Sequence, residues 1–349
     1  MPQRPPKSGK VTKYKNTLLV DGNALFKRGF IGARNEYNRQ GKQIGGIYQF
    51  LTVLRKLLTE DLYHKVFNFW DGEFSGKLRW DIYKDYKSGR GKDYINGTKP
   101  EDIEEVLQRG IVFNYLEELY IRQLLDDCVE SDDFIAYYCM LRKEDEKITI
   151  VTSDRDLCQL IDDNVRVYLL DLKTYVSKHT FIYYFKYHYT NVALIKILCG
   201  DNSDSIKGIK RLGESTLLKH FPELTKRTVT LDEILEKSKI LQQERVNNKK
   251  KPLQIFDNIV YSITDGIQGK DIYDINTKLI DLTKPLLTDS SIKEIHALMD
   301  TKLSDDRSIK SVYKMLKKDG IDVLLGEHRY NNYLLPFKKL IEREKKIIL

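Results

Sequence analysis

Residues 147–162 read KITIVTSDRDLCQLID. An apolar, β-branched run stops at Thr152 and Ser153, two acids follow at Asp154 and Asp156, and a segment resembling an opening helix begins. The pattern is a strand that delivers carboxylates at its carboxyl end. It recurs upstream. TLLV (17–20) stops at Asp21 with Gly22 and Asn23 behind it, and VFNFW (66–70) stops at Asp71-Gly72. VRVYLL (165–170) is a fourth strand, and GGIYQFLTVLRKLLTE (45–60) has apolar residues at helical spacing. Helices are expected over 111–128 and 133–142. Strand and helix signals thus alternate to about residue 170, which predicts an α/β fold with a mostly parallel sheet flanked by helices. Ligands of such sheets lie beyond the carboxyl ends of the strands, where Asp21, Asp71 and Asp154 all sit.

Beyond about residue 180 the pattern is mostly helical. An apolar helix at 191–199 leads into LCGDNSDSIKG (198–208), where Asp201 and Asp204 stand three apart, and another helix starts at 215 after Gly213. The polar segment 237–252, which contains NNKKKP, reads as a solvated lysine-rich loop. Three regions follow: a basic arm over 1–16, an α/β core over 17–180 with a basic segment at about 77–125, and a helical region over 181–349.

The acids collect into a candidate set: Asp21, Asp71, Glu130, Asp132, Asp133, Asp154, Asp156, Asp201 and Asp204. Carboxylates gathered without cations raise one another's pKa. Hard divalent ions remove that conflict, and two Mg2+ (or Mn2+) ions about 4 Å apart can activate water and stabilise a leaving oxygen in phosphodiester hydrolysis. Any one of these acids taken alone reads equally well as a solvated residue or a helix cap; the repeated placement after apolar strands lifts the set. The chain of 349 residues carries a formal net charge of +8, compatible with a polyanionic partner. In KLRWDIYKDYKSGRGK (77–92), Arg79, Lys84, Lys87, Arg90 and Lys92 alternate with aromatics including Tyr86, a composition suited to nucleic-acid backbone and bases. An amphipathic helix with a charged face gives the same pattern. Six scattered histidines and four cysteines without a CxxC pair speak against a zinc site and point to buried thiols in a reducing, cytoplasmic setting. No apolar window is long enough to span a membrane.

The ordered segments VDGN (20–23), WDG (70–72), YKSGR (86–90), ESDD (130–133), TSDRD (152–156) and GDNSDSIKGI (200–209) resemble the 5′-nuclease, or flap endonuclease, family. The basic segment is especially similar to the stand-alone phage ribonuclease H branch. The resemblance implies a PIN-like core followed by a helix–turn–helix phosphate-binding module. It implies Asp21, Asp71, Glu130, Asp132 and Asp154 around a first metal, and Asp156, Asp201 and Asp204 around a second, with Asp154 close to both. Asp133 matches a further acid of the cluster. Lys87 and Arg90 match residues that contact the scissile phosphate, and Tyr86 one that stacks on a terminal base, at the foot of an arch near 91–125. Arg79, Lys84 and Lys92 would add DNA contacts, and Lys207, Lys210 and Arg211 would hold duplex phosphates. The family's turn often surrounds a K+ ion. Here Gly208 and Gly213 stand five apart, which leaves that ion uncertain.

The function implied is metal-dependent 5′-to-3′ exonuclease and flap cleavage of branched, nicked or RNA-primed duplex DNA in phage-type replication, in the host cytoplasm. A sliding clamp and a single-strand-binding protein are the implied protein partners. No polymerase segment follows residue 349, so a stand-alone nuclease is expected. Two alternatives stay open: a non-catalytic DNA-binding relative, and a metal-dependent RNA nuclease sharing the α/β core.

Overall fold

The computed structural model describes residues 16–88, 100–264, 271–303, 307–322 and 330–347. The basic arm, apart from Asn16, therefore lies outside the described residues, as do Arg90, Lys92 and the rest of 89–99. The sheet is built from β1 (Asn16–Asp21), β2 (Lys65–Asp71), β3 (Arg122–Asp126), β4 (Lys147–Thr152), β5 (Val165–Leu169) and β6 (Thr174–Val176) in the order β3-β2-β1-β4-β5-β6. All neighbours are parallel except β5 and β6, so the sheet is mixed. The order turns back between β1 and β4, the switch point at which such sheets place their ligands.

Alternation along the strands divides the core. Leu18 and Val20 face a cluster with Val66, Trp70 and Val151. It is covered by α1 (Gly22–Gly32), α2 (Gly45–Glu60) and α4 (Pro100–Glu118). Leu19 faces the opposite way, with Phe67, Phe69, Ile148 and Ile150, toward α5 (Ser131–Leu141) and the helices that follow the sheet. A short helix, α3 (Lys77–Ile82), lies between β2 and α4. The helical region comprises α6 (Phe181–Phe185), α7 (Val192–Cys199), α8 (Glu214–His220), α9 (Leu231–Asn247), α10 (Gln254–Val260), α11 (Asp271–Ile280), α12 (Asp289–Asp300), α13 (Ile309–Lys318) and α14 (Tyr330–Ile347).

Three expectations are corrected. The helix expected over 111–128 ends at Glu118, and β3 occupies 122–126; Tyr120 takes a left-handed φ of 60° between them. The lysine-rich loop expected over 237–252 is largely α9, whose start is fixed by a capping box between Thr230 and Glu233. The segment after Asp156 is a 3-10 turn over Asp156–Leu160 and not the start of an α-helix.

Candidate active site

β2, β1 and β4 are adjacent in the sheet, so their ends bring Asp71, Asp21 and Asp154 to one edge. Asp21 caps α1 by accepting the Ala24 amide at 3.0 Å, and its other oxygen accepts the Thr152 hydroxyl at 2.8 Å. Asp71 accepts the Ser131 amide at 2.7 Å at the start of α5 and the Asn23 side-chain amide at 3.2 Å. That helix start also carries Glu130 as its cap residue and Asp132 in its first turn.

Burial, reinforced by Asp71, pushes the Asp21 carboxyl up to about 7. Burial and the Glu130 charge raise Asp71 as well. Burial and then the charges of Asp154, Asp21 and Asp71 hold Asp132 well above the usual carboxylate range. Burial opposes the charge on Glu130, but Arg79 and Lys87 outweigh it and keep that carboxyl low. The Lys87 ammonium pairs with Glu130, and the Tyr86 hydroxyl donates to Glu130 at 2.9 Å and to Asp204 at 3.3 Å. Lys87 holds a left-handed φ of 54°, and its amide donates to the Asp204 carbonyl at 2.8 Å. A non-glycine residue kept there by two partners, between two groups of acids, marks a site where backbone strain is maintained.

Asp201 and Asp204 stand on a small hairpin in which Gly200–Asp201 pairs antiparallel with Ile206–Lys207. A Cβ on Gly208 would lie 2.1 Å from the Cys199 carbonyl carbon, so only glycine allows this crossing. Asp201 and Asp156 are bridged by Lys196 of α7. Burial and the nearby Asp154 raise Asp156 to about 7, with Lys196 opposing. The turn that follows is tied from behind. Carbonyls of Lys207, Gly208 and Lys210 accept side-chain donors from Asn276 (2.9 Å), Thr264 (2.6 Å) and Asn258 (2.9 Å).

The structure brings Asp21, Asp71, Glu130, Asp132 and Asp154 together, and Asp156 with Asp201, while Asp204 reaches the first group through Tyr86. Asp133, 1% exposed, accepts two hydrogen bonds from Arg79 and one from the Leu286 amide, and the same guanidinium pairs with Glu130, so Asp133 is tied to the acid cluster through Arg79. Arg79, expected to face nucleic acid, is 5% exposed and bound to Asp133, Glu130 and the Leu279 carbonyl. Tyr86 is 3% exposed, with its ring against Lys87 and Arg79, so it offers no open face to a base in this conformation. Lys84 is exposed and pairs with Asp81, and Lys207 and Arg211 are exposed on the turn, where Arg211 donates to Gln254 at 3.0 Å. Lys196 was absent from the sequence-derived set, yet a single lysine among the apolar residues of VALIKILC is a signal, since a buried ammonium needs an acid partner.

Among the described residues no three His, Cys, Asp or Glu side chains form a finished metal cage. The cluster is nonetheless chemically suited to hard divalent ions. Its donors are carboxylate oxygens, several have lost their preference for charge through burial and crowding, and no hydrogen-bond donor among the described residues engages Asp132.

The model of the 5′-3′ exonuclease N-terminal, resolvase-like domain matches residues 16–187. A 5′-3′ exonuclease of Bacillus subtilis (strain 168) is 34% identical over 238 residues, covering 64% of this chain and 74% of that protein. DNA polymerase I of Thermus thermophilus is 30% identical over 235 residues, covering 66% of this chain and 26% of the polymerase. The chain therefore spans about a quarter of the length of that polymerase. The fold is shared with a zinc-bound T5 5′-exonuclease at a TM-score of 0.60 and 17% identity, covering 89% of this chain and 98% of that one. The chain belongs to the 5′-3′ exonuclease family. Among the described residues no helix is long and apolar enough to cross a membrane.

Proposed function

We propose that the chain is a structure-selective 5′-nuclease that hydrolyses phosphodiesters at 5′ flaps, nicks and RNA-primed ends of duplex DNA. The observation that carries the reading is the Asp132 carboxylate, flanked by Asp21, Asp71, Glu130 and Asp154 and engaged by no donor among the described residues. Asp21, Asp71, Asp132 and Asp154, with Glu130, would hold one divalent ion, and Asp156, Asp201 and Asp204 a second, Mg2+ or Mn2+ by their all-oxygen chemistry. Such ions supply an activated water and charge stabilisation at the leaving oxygen.

The protein's own groups do the rest. Lys87, between the two acid groups, aims charge at the transferring phosphate, where it favours the transition state. Arg90 is assigned the same role by its place in YKSGR. Lys207, Lys210 and Arg211 line the turn after Asp204 and suit backbone phosphates, which position a duplex without reading bases. The helix–hairpin–helix of α7, the Gly200–Lys207 hairpin and α8 is the proposed phosphate-binding module, and the α/β core the PIN-like part. The carbonyls of the turn already accept side-chain donors, so no role is derived for a monovalent ion. Replication proteins such as a clamp or a single-strand-binding protein are proposed partners on family grounds alone.

Comparing a 5′-labelled flap with blunt duplex and free single-stranded RNA tests the reading. Cleavage near the flap junction with Mg2+, and at least about tenfold slower attack on the other two, is expected from positioning by duplex phosphates. Equal rates on free RNA would favour the metal-dependent RNA nuclease instead.

A further inference from the structure

The ammonium of Lys196 stands 2.5 Å from Asp156 Oδ1 and 2.6 Å from Asp201 Oδ2. All three side chains are largely buried, at 27%, 18% and 12% exposure. The free side of Asp201 is also fixed, because Oδ1 accepts both the amide and the hydroxyl of Ser203, at 2.8 and 2.6 Å. The two carboxylates are therefore held facing one cation, and that cation belongs to the chain. A divalent ion bound to the same oxygens sits about 2.0–2.1 Å from each if it is magnesium. An ammonium and a divalent ion cannot share that space, and their repulsion at such separation is large even where screened.

We propose that Lys196 is a built-in counter-ion of the second metal site, an ammonium that keeps Asp156 and Asp201 paired until a divalent ion displaces it. The inference rests on the two-ion reading given above. Lys196 is suited to the task by its chemistry. Its four-carbon stem leaves α7 one turn before the hairpin, and a lysine head on a flexible stem can swing from one partner to another. A permanent, purely structural ion pair would instead resist the ion and stay in place. The consequence is a site that is pre-shaped but weakened: the carboxylates do not spring apart when empty, and the divalent ion must first evict a cation.

The experiment is Mn2+ binding to the DNA-free protein, followed by electron paramagnetic resonance, for wild type, Lys196→Met and Lys196→Gln. Two classes of Mn2+ are expected in wild type. In both variants the weaker class should tighten by at least about tenfold, the scale set by removing a unit charge at this distance, and the stronger class should change by less than about threefold. A weaker class that is unchanged or loosened in the variants overturns the proposal and leaves the two-ion reading standing. A wild type that binds a single ion overturns both, so the two failures are distinguishable. Should either variant fail to fold, the wild type carries its own test. Acetylation of Lys196, read by mass spectrometry, should be slow in EDTA and several-fold faster in Mg2+, relative to an exposed lysine such as Lys84. An unchanged ratio means that Lys196 is not displaced, and overturns the proposal.

Discussion

Asp154→Asn is expected to lower flap cleavage by at least about 10³-fold, the scale of losing a principal electrostatic contribution in a metal-assisted site. DNA binding in Ca2+ should stay within about threefold of wild type. Asp154 is the acid whose charge reaches both groups. It raises Asp21 and Asp132 on one side and Asp156 on the other, and it adds to the field that keeps Lys196 protonated. The substitution is mild structurally. The residue is exposed, its amide donates to Thr152 Oγ1 at 2.8 Å, and the Asp156 amide donates to its Oδ1 at 2.8 Å, an acceptor that asparagine retains. Single-turnover rates at saturating Mg2+ decide the matter. Turnover equal to wild type would remove Asp154 from the chemistry.

Arg79→Met is expected to destabilise the protein by about 3–5 kcal/mol, the usual result of removing one member of a buried ion network. Arg79 lies 2.5 Å from Asp133 and 2.7 Å from Glu130, and its Nε donates to the Leu279 carbonyl at 3.0 Å. Asp133 in turn accepts the Leu286 amide at 2.9 Å. The network joins α3, the start of α5 and the segment around the end of α11, so its loss uncouples the helical region from the acid cluster and leaves Asp133 buried with no cation among the described residues, while Glu130 keeps Lys87. Urea unfolding measures the effect. Had Arg79 been an exposed phosphate contact, as the sequence suggested, the change would be within about 0.5 kcal/mol. The double variant Arg79→Met with Asp133→Leu should recover much of the loss, since an ion pair replaced whole by apolar groups is often tolerated.

Much of the acid cluster was legible because strand ends are local features. TLLV before Asp21, VFNFW before Asp71 and KITIV before Thr152 each carry their own boundary, and adjacency of the three strands follows from parallel α/β logic. What was not legible depended on partners far away in sequence. Arg79 finds Asp133 and Leu279 across at least 54 positions, Asp133 in turn finds Leu286, and nothing within KLRWDIYK reports that Arg79 turns inward. Tyr86 is hidden for the same reason: it spans Glu130 and Asp204, 44 and 118 positions on. β3 is hidden in the sequence because apolar spacing continues from α4 through Leu119 and Ile121, while the break comes at Tyr120, a residue type that gives no warning of a positive φ. α9 was different. Its capping box, Thr230 with Glu233, stands in the sequence, but the polar run ending in NNKKKP outweighed it.

On the two-ion reading, the carboxylates at this sheet edge act only through divalent ions. The most direct measurement is the initial rate on a 5′-labelled flap as free Mg2+ is raised from EDTA conditions, at constant ionic strength. No cleavage is expected in EDTA, and the rate should rise with an apparent order in Mg2+ above one, toward two, because two ions must be in place together. Cleavage that persists in EDTA, or a rate indifferent to Mg2+, would contradict it.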